Sequence, residues 1–205
     1  MKVLMLNGSP HKNGTTFRAL SEIATILNEN GIETEIVTVG DKKVHGCMAC
    51  GGCAKAGKCV FDDIVNELVE KLTFADGLIV GSPVYFAGAN GTLLSILDRM
   101  FYNRKNFAYK PAAAVAVARR AGTTATLDMI NKYFLISKMP VVSSQYWNMV
   151  FGSNGEQAEE DKEGLQTMRT LGKNMAWMLK CIEAGKKAGV AIPETEQAVK
   201  TNFVR

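Results

Sequence analysis

The chain has only two histidines among its 205 residues. No carboxylate dyad and no triad motif stands out either, so catalysis built from side chains alone has little to work with. No run of about 18 uncharged apolar residues occurs, which leaves no membrane-spanning helix. The opening MKVLMLNGSP breaks its apolar stretch at Asn7-Gly8, too early for the core of a signal peptide. No Lys/Arg run interleaves with aromatics, and the net charge is a mild +4, so neither nucleic acid nor a membrane is an expected partner. Internal repeats and low-complexity linkers are missing too. The expectation is one cytoplasmic domain whose hard chemistry comes from a bound group.

Hydrophobic residues make up 47% and charged residues 21% of the chain, enough for a full core. Short apolar runs alternate with longer amphipathic ones. The runs VLML (3–6), EIVTV (35–39), GLIV (77–80) and AAAVAVA (112–118), with a fifth near 140–146, read as strands. Helices are expected over 15–29, from a cap at Asp62-Asp63 to Leu72, over about 90–102, over 123–138 and over 160–183. Strand–helix alternation repeated in this way means a parallel sheet covered on both faces. Right-handed crossovers then give an α/β flavodoxin-like three-layer sandwich of five strands in the order 2-1-3-4-5. The domain is expected to span 1–183, with a loosely held tail over 184–205.

Ligands on such a sheet bind at the carboxyl ends of the strands. The loop after the first strand, NGSPHKNGTT (7–16), supplies Ser9, Asn13, Thr15 and Thr16 at the start of a helix, a setting that favours an anion. It is not a nucleotide P-loop, because five residues separate Gly8 from Gly14 and Thr15 stands where a lysine should. The dinucleotide fingerprint G-x-G-x-x-G is also missing. A second carboxyl-end loop, GSPVYFAGANG (81–91), places Tyr85 and Phe86 beside Pro83, where a flat apolar ligand would explain adjacent aromatics. A third, ARRAGTT (118–124), adds glycine and hydroxyls. A monophosphate cradle, a flat-ring wall and a small polar loop together describe a site for flavin mononucleotide (FMN).

GSPHKNGTT (8–16) and GSPVYFAGANG (81–91), with the cysteine-rich stretch at 44–63, resemble the NAD(P)H-dependent FMN reductase-like group of flavodoxin folds. Within it the chain is most similar to the iron–sulfur flavoproteins, over about residues 1–183. RKNFAYK (104–110), SQYWNMVFG (144–152) and EEDKEGLQT (159–167) carry the likeness further. The resemblance implies that Ser9, Asn13, Thr15 and Thr16 hold the FMN phosphate, with His11 a secondary contact where many relatives carry arginine. It implies that Pro83, Val84, Tyr85 and Phe86 line the isoalloxazine, and that Ala121 and Gly122 approach its polar edge. It also implies electrons from NAD(P)H or ferredoxin, and a homodimer or dimer of dimers in which SQYWNMVFG covers a neighbour's flavin.

Four of the five cysteines, Cys47, Cys50, Cys53 and Cys59, fall in the spacing C-x2-C-x2-C-x5-C. In a reducing compartment such clusters serve metals or redox chemistry more often than structural disulfides. Paired zinc knuckles split into two distant C-x2-C halves, whereas ferredoxin-type loops use two x2 steps in series. A 4Fe–4S cluster is therefore the expectation, with zinc and free or partly oxidised thiols as the alternatives. His45 stands just before the loop as a strand-end residue. Cys181 is expected as a buried small hydrophobe on the apolar face of the last helix.

Overall fold

Side chains alternate across the first strand, and both faces of that strand are apolar. Val3 and Met5 join one core cluster, Leu4 and Leu6 the other, and all four are fully buried. Both faces of the sheet must therefore be covered, and a computed structural model of the chain shows them so. It describes residues 1–103, 105–199, 201 and 203. The elements are β1 (Lys2–Asn7), α1 (Thr15–Glu29), β2 (Glu33–Thr38), α2 (Gly52–Ala56), α3 (Ile64–Phe74), β3 (Gly77–Tyr85), β4 (Gly88–Ala89), α4 (Gly91–Tyr102), β5 (Ala112–Ala118), α5 (Thr123–Ile136), β6 (Met149–Phe151), α6 (Gly155–Glu160) and α7 (Lys162–Lys187). The parallel strands run in the order β2-β1-β3-β5-β6, and the short β4 pairs antiparallel with β3. In spatial terms this is the expected order of five parallel strands with one small hairpin added.

Helix α1 packs its Leu20, Ile23 and Leu27 against one face of the sheet, with α7 beside it. All three are fully buried, worth about 1.5–3 kcal/mol each in transfer free energy. The opposite face is covered by α3, α4 and α5. Helix α3 starts where its cap was read, with Asp63 Oδ1 accepting from Val65 N at 3.1 Å. Among the described residues no helix is long and apolar enough to cross a membrane.

Three expectations need correction. The outer strand is not continuous over 140–146. The chain touches β5 through a single bridge, Ala112 to Val141, and leaves the sheet over residues 143–147. It returns only as β6. Asn148 spans the gap, its side-chain Nδ2 donating to Ala114 O at 3.1 Å and Val142 O at 3.5 Å. A polar side chain thus stands in for ladder bonds that the backbone cannot make there. Secondly, β3 does not stop at Gly81-Ser82-Pro83. Its pairing with β1 ends at Gly81, but pairing with β5 continues to Pro83, and the strand then turns into β4. Thirdly, Cys181 is exposed. The buried face of α7 runs through Met168, Leu171, Met175 and Leu179, and a residue two past Leu179 lies about 200° round the helix. That helix itself runs on to Lys187.

Candidate functional site

The phosphate-type cradle is built around the end of β1. Gly8 N donates to Gly81 O at 2.8 Å, which fixes the first loop to β3. Ser9 N donates to Asn7 Oδ1 at 3.1 Å, and His11 N donates to Ser9 Oγ at 3.1 Å, so the loop curls on its own side chains. The helix that follows has Gly14 at its N-cap, which offers no side chain to its first-turn N–H groups, and no acid stands in that turn. Those donors and the positive end of the helix are left for an anion. Ser9 and Thr16 are buried, whereas His11 and Asn13 are exposed at the mouth.

Thr15, expected at the phosphate, is spent on a structural bond that its sequence position did not announce. Its hydroxyl donates to Asn154 O at 2.8 Å and lies 3.3 Å from Gly152 O. The loop after β6 is thereby tied to the cradle, and a Cβ on Gly155 would lie only 2.9 Å from Asn13 O. Residues 152–155 are therefore part of the site, and sequence reading missed them. The only signal was a polar Gly-Ser-Asn-Gly turn at a strand end.

The stretch read as a flat-ring wall forms the hairpin between β3 and β4. Tyr85 is 44% exposed and Phe86 fully exposed. Phe86 and Ala87 both adopt left-handed backbone, at φ +50° and +60°, where residues with a Cβ pay about 1–2 kcal/mol each. Strain held in a loop at the ligand end of a sheet marks a position kept for function. The turn is braced by Gly122, itself at φ +88°, whose absent Cβ would fall 2.7 Å from Ala87 Cα and 2.8 Å from Val84 Cγ1. Hence Val84 and Gly122, read separately from sequence, lie against each other. Pro83 and Val84 are half-buried, and Ala121, like its neighbours Arg119 and Arg120, is exposed beside them. Beneath the hairpin Ser82 Oγ accepts from Asn90 N at 3.0 Å, and Asn90 caps α4 at Leu93 N. A cradle of free amides beside an exposed aromatic hairpin fits a phosphorylated planar ring.

A second centre lies along α4. Cys47, Cys50, Cys53 and Cys59 line one cavity of about 20 Å³, with Phe61, Arg99 and Tyr102 completing its wall. All four are free thiols. Among the described residues no three His, Cys, Asp or Glu groups stand close enough to hold a metal ion as placed. The donor set nevertheless fits a thiolate-ligated metal by its chemistry, since all four cysteines line one concavity. Gly46, Gly51 and Gly57, around which an added Cβ would meet nothing within 4 Å, leave the loop room to close.

Two residues hold this centre that the motif did not reveal. Asn66 accepts from Cys59 N at 2.8 Å and donates to the carbonyls of Cys59 and Phe61, both at 3.1 Å. Arg99, only 3% exposed, pairs with Asp63 through two bonds of 2.6 and 2.9 Å. It lies 4.9 Å over the Phe61 ring, and the His45 ring stacks on Phe61 at 4.7 Å between centroids. Burial alone would push Arg99 toward losing its proton, but the bonds to Asp63 and then Cys59 outweigh it and hold its pKa above the ordinary arginine value. The available signal was a charged residue inside the apolar repeat Leu93, Ile96, Leu97, Met100.

The SQYWNMVFG segment (144–152) supplies most of the excursion between the two pieces of the outer strand and then β6 itself, with Tyr146 and Trp147 exposed and in edge-to-face contact at 4.6 Å. Arg104, in RKNFAYK, lies outside the described residues.

Comparison with known proteins agrees with this geometry. Residues 1–154 match the family model described as NADPH-dependent FMN reductase. An iron-sulfur flavoprotein of Methanocaldococcus jannaschii is 36% identical over 192 residues, covering 89% of this chain and all of the other. One from Methanosarcina thermophila is 33% identical, covering 91% of this chain and 99% of its own length. Among solved structures, a flavodoxin from the domain Archaea superposes with a TM-score of 0.61 at 15% identity, covering 88% of this chain and 99% of the other.

Proposed function

The chain belongs to the NADPH-dependent FMN reductase family, and on that premise we propose that this FMN-dependent oxidoreductase takes electrons from NAD(P)H or a reduced ferredoxin and carries a 4Fe–4S cluster on Cys47, Cys50, Cys53 and Cys59. The observation that carries the reading is a convergence at one rim of the sheet. There the uncapped, acid-free start of α1 lies at the same sheet end as an exposed aromatic hairpin held in strained backbone. When bound, FMN supplies hydride acceptance and one-electron transfer, and the chain's residues bind and orient it. First-turn amides of α1 and the Thr16 hydroxyl hold the phosphate. Tyr85, Phe86 and the backbone of Val84 and Gly122 wall the ring.

A ferredoxin-type donor is supported by charge. From Lys42 to Phe61 the chain carries Lys42, Lys43, Lys55 and Lys58 and no carboxylate; all four are exposed, Lys42 paired with Asp41 just outside that stretch. Such a basic stretch steers an acidic protein toward the cavity. The exposed Tyr146 and Trp147 suit a surface shared with a second copy of the chain, in line with a homodimer or dimer of dimers. A cluster-free reductase is the second reading, favoured by sulfurs that are not yet gathered to ligating distance.

Anaerobically purified protein is expected to show flavin bands with a broad shoulder near ~400 nm from sulfur-to-iron charge transfer, together with iron and acid-labile sulfide. Stopped-flow mixing with NADPH, NADH or reduced ferredoxin should bleach the flavin bands with at least one donor. Flavin bands without iron or sulfide select the second reading. Protein that stays colourless in excess FMN overturns the proposal, as does bound flavin that none of the three donors reduces.

Thr16→Val removes a hydroxyl at the second position of α1 without changing side-chain shape. FMN affinity is expected to fall by about 1.5–3 kcal/mol, the range for a hydrogen bond to a charged group. Flavin fluorescence quenching on titration of the apoprotein measures it, and an unchanged affinity would remove Thr16 from the cradle.

A further inference from the structure

Arg99 is far more completely satisfied than a surface arginine, and the way its donors are spent is informative. A guanidinium carries five N–H groups. Here Nη1 donates to Asp63 Oδ2 at 2.6 Å and His45 O at 3.1 Å. Nη2 donates to Asp63 Oδ1 at 2.9 Å and Cys59 Sγ at 3.2 Å, and Nε donates to the same sulfur at 3.3 Å. Every donor has an acceptor, which is what a buried cation requires. Two of the five go to one sulfur. A neutral thiol is a weak acceptor, whereas a metal-bound thiolate carries the negative charge that such a pair of donors suits. The other cysteines are held differently. Cys47 Sγ accepts from Ala49 N at 3.4 Å, and Cys53 Sγ reaches only Tyr102 O at 3.8 Å. Cys59 alone among them has its backbone pinned by Asn66 and its sulfur by a buried cation.

We propose that Arg99 is the positioning residue of the cysteine centre: it fixes Cys59 as the pre-set ligand onto which the exposed Cys47–Cys53 loop closes, and it supplies positive charge to that sulfur. The inference rests on the metal-site reading given above. Hydrogen bonds to ligand sulfur and the net charge around a cluster set its reduction potential, so Arg99 also raises the potential of an iron–sulfur group held there. Asp63 serves both ends of the arrangement, because the carboxylate that caps α3 also holds the guanidinium in place.

The test uses the full chain with FMN bound, stripped of metal by chelation, and Co(II) as the probe. Arg99→Lys retains charge but not the two-armed geometry. Arg99→Met combined with Asp63→Asn removes the cation without stranding a carboxylate. Retained flavin bands establish that each variant is folded. Both variants are expected to bind Co(II) roughly 10–100-fold more weakly, the usual effect of losing a group that orients a ligand. The sulfur-to-cobalt band should weaken in parallel. In a Cys59→Ser background the same changes should have no further effect, because a residue acting through Cys59 has nothing left to act on. After iron and sulfide reconstitution, the Arg99 variants should titrate at a more negative potential. Equal Co(II) affinity in wild type and variants, or an equal loss with and without Cys59, overturns the role of Arg99 alone. Wild-type protein that takes up neither Co(II) nor iron overturns the metal-site reading and this inference with it.

Discussion

Cys50→Ser protein is expected to emerge yellow, with a full complement of FMN and neither iron nor acid-labile sulfide. Cys50 is exposed and lines the cysteine cavity, and it belongs to neither core cluster. Its replacement therefore costs the fold no more than about 0.5 kcal/mol. The flavin loops are built from other segments. The two centres meet the same helix at different levels: Leu93 of α4 lies under Gly8, and Tyr102 borders the cysteines. Nine residues separate them (102 − 93), about 13 Å of helix rise. Losing one thiolate ligand should therefore abolish the cluster and leave flavin affinity within about twofold, since surface changes away from a site stay within ±0.5 kcal/mol. Metal and sulfide analysis beside the visible spectrum reads both. Joint loss of iron and flavin would refute the separation.

Gly40→Ala is expected to have the largest effect on flavin binding of any single methyl added to this chain. Gly40 follows β2 and packs against the cradle loop. A Cβ there would lie 2.2 Å from Gly8 O and 2.4 Å from Ser9 C. Both are backbone atoms, so no rotamer change relieves the clash and the loop itself must move. The displaced atoms belong to the turn that aims amides at the phosphate. Losing even one charge-assisted bond to the phosphate costs about 1.5–3 kcal/mol, roughly 10–100-fold in affinity. Fluorescence titration with FMN should show that loss. The control is Gly46→Ala, where an added Cβ meets nothing within 4 Å, and whose affinity should match the wild type. Wild-type affinity in Gly40→Ala would mean that the cradle tolerates a shift which the packing forbids.

The parts of this fold that follow a period were legible in the sequence. Val3 to Leu6 and Ala112 to Ala118 are strands because unbroken apolar runs bounded by turns suit a sheet covered on both sides. The capped start of α3 at Asp63 could be read from local chemistry alone. Features that depend on two distant segments were not legible. Nothing near Asn148 shows that its side chain will bridge to Ala114. Pro83 looks like a strand terminator, but it tolerates pairing because β5 continues beside it after β1 has ended. Cys181 was misread because an apolar stretch near the end of a long helix gave no sharp account of which face is buried. At the candidate site, loop composition singled out the hydroxyls and aromatics as candidates. It could not show that Thr15 donates its proton to Asn154, or that a charged residue within the apolar repeat of α4 faces a cysteine.

The interrupted outer strand bears on how the molecule avoids sticking to itself. An open sheet border is a template for unwanted strand addition, and long flat borders are the dangerous ones. Here the border beyond β5 offers a run of just three residues, Met149–Phe151, and a lone bridge at Val141. Between them the backbone is lifted out of plane, so an incoming foreign strand finds no unbroken ladder to extend. The detour thus leaves this margin a template of only three residues, whereas the opposite margin, β2, keeps six; a shortened segment that straightened residues 143–147 into the sheet would lengthen the first to match.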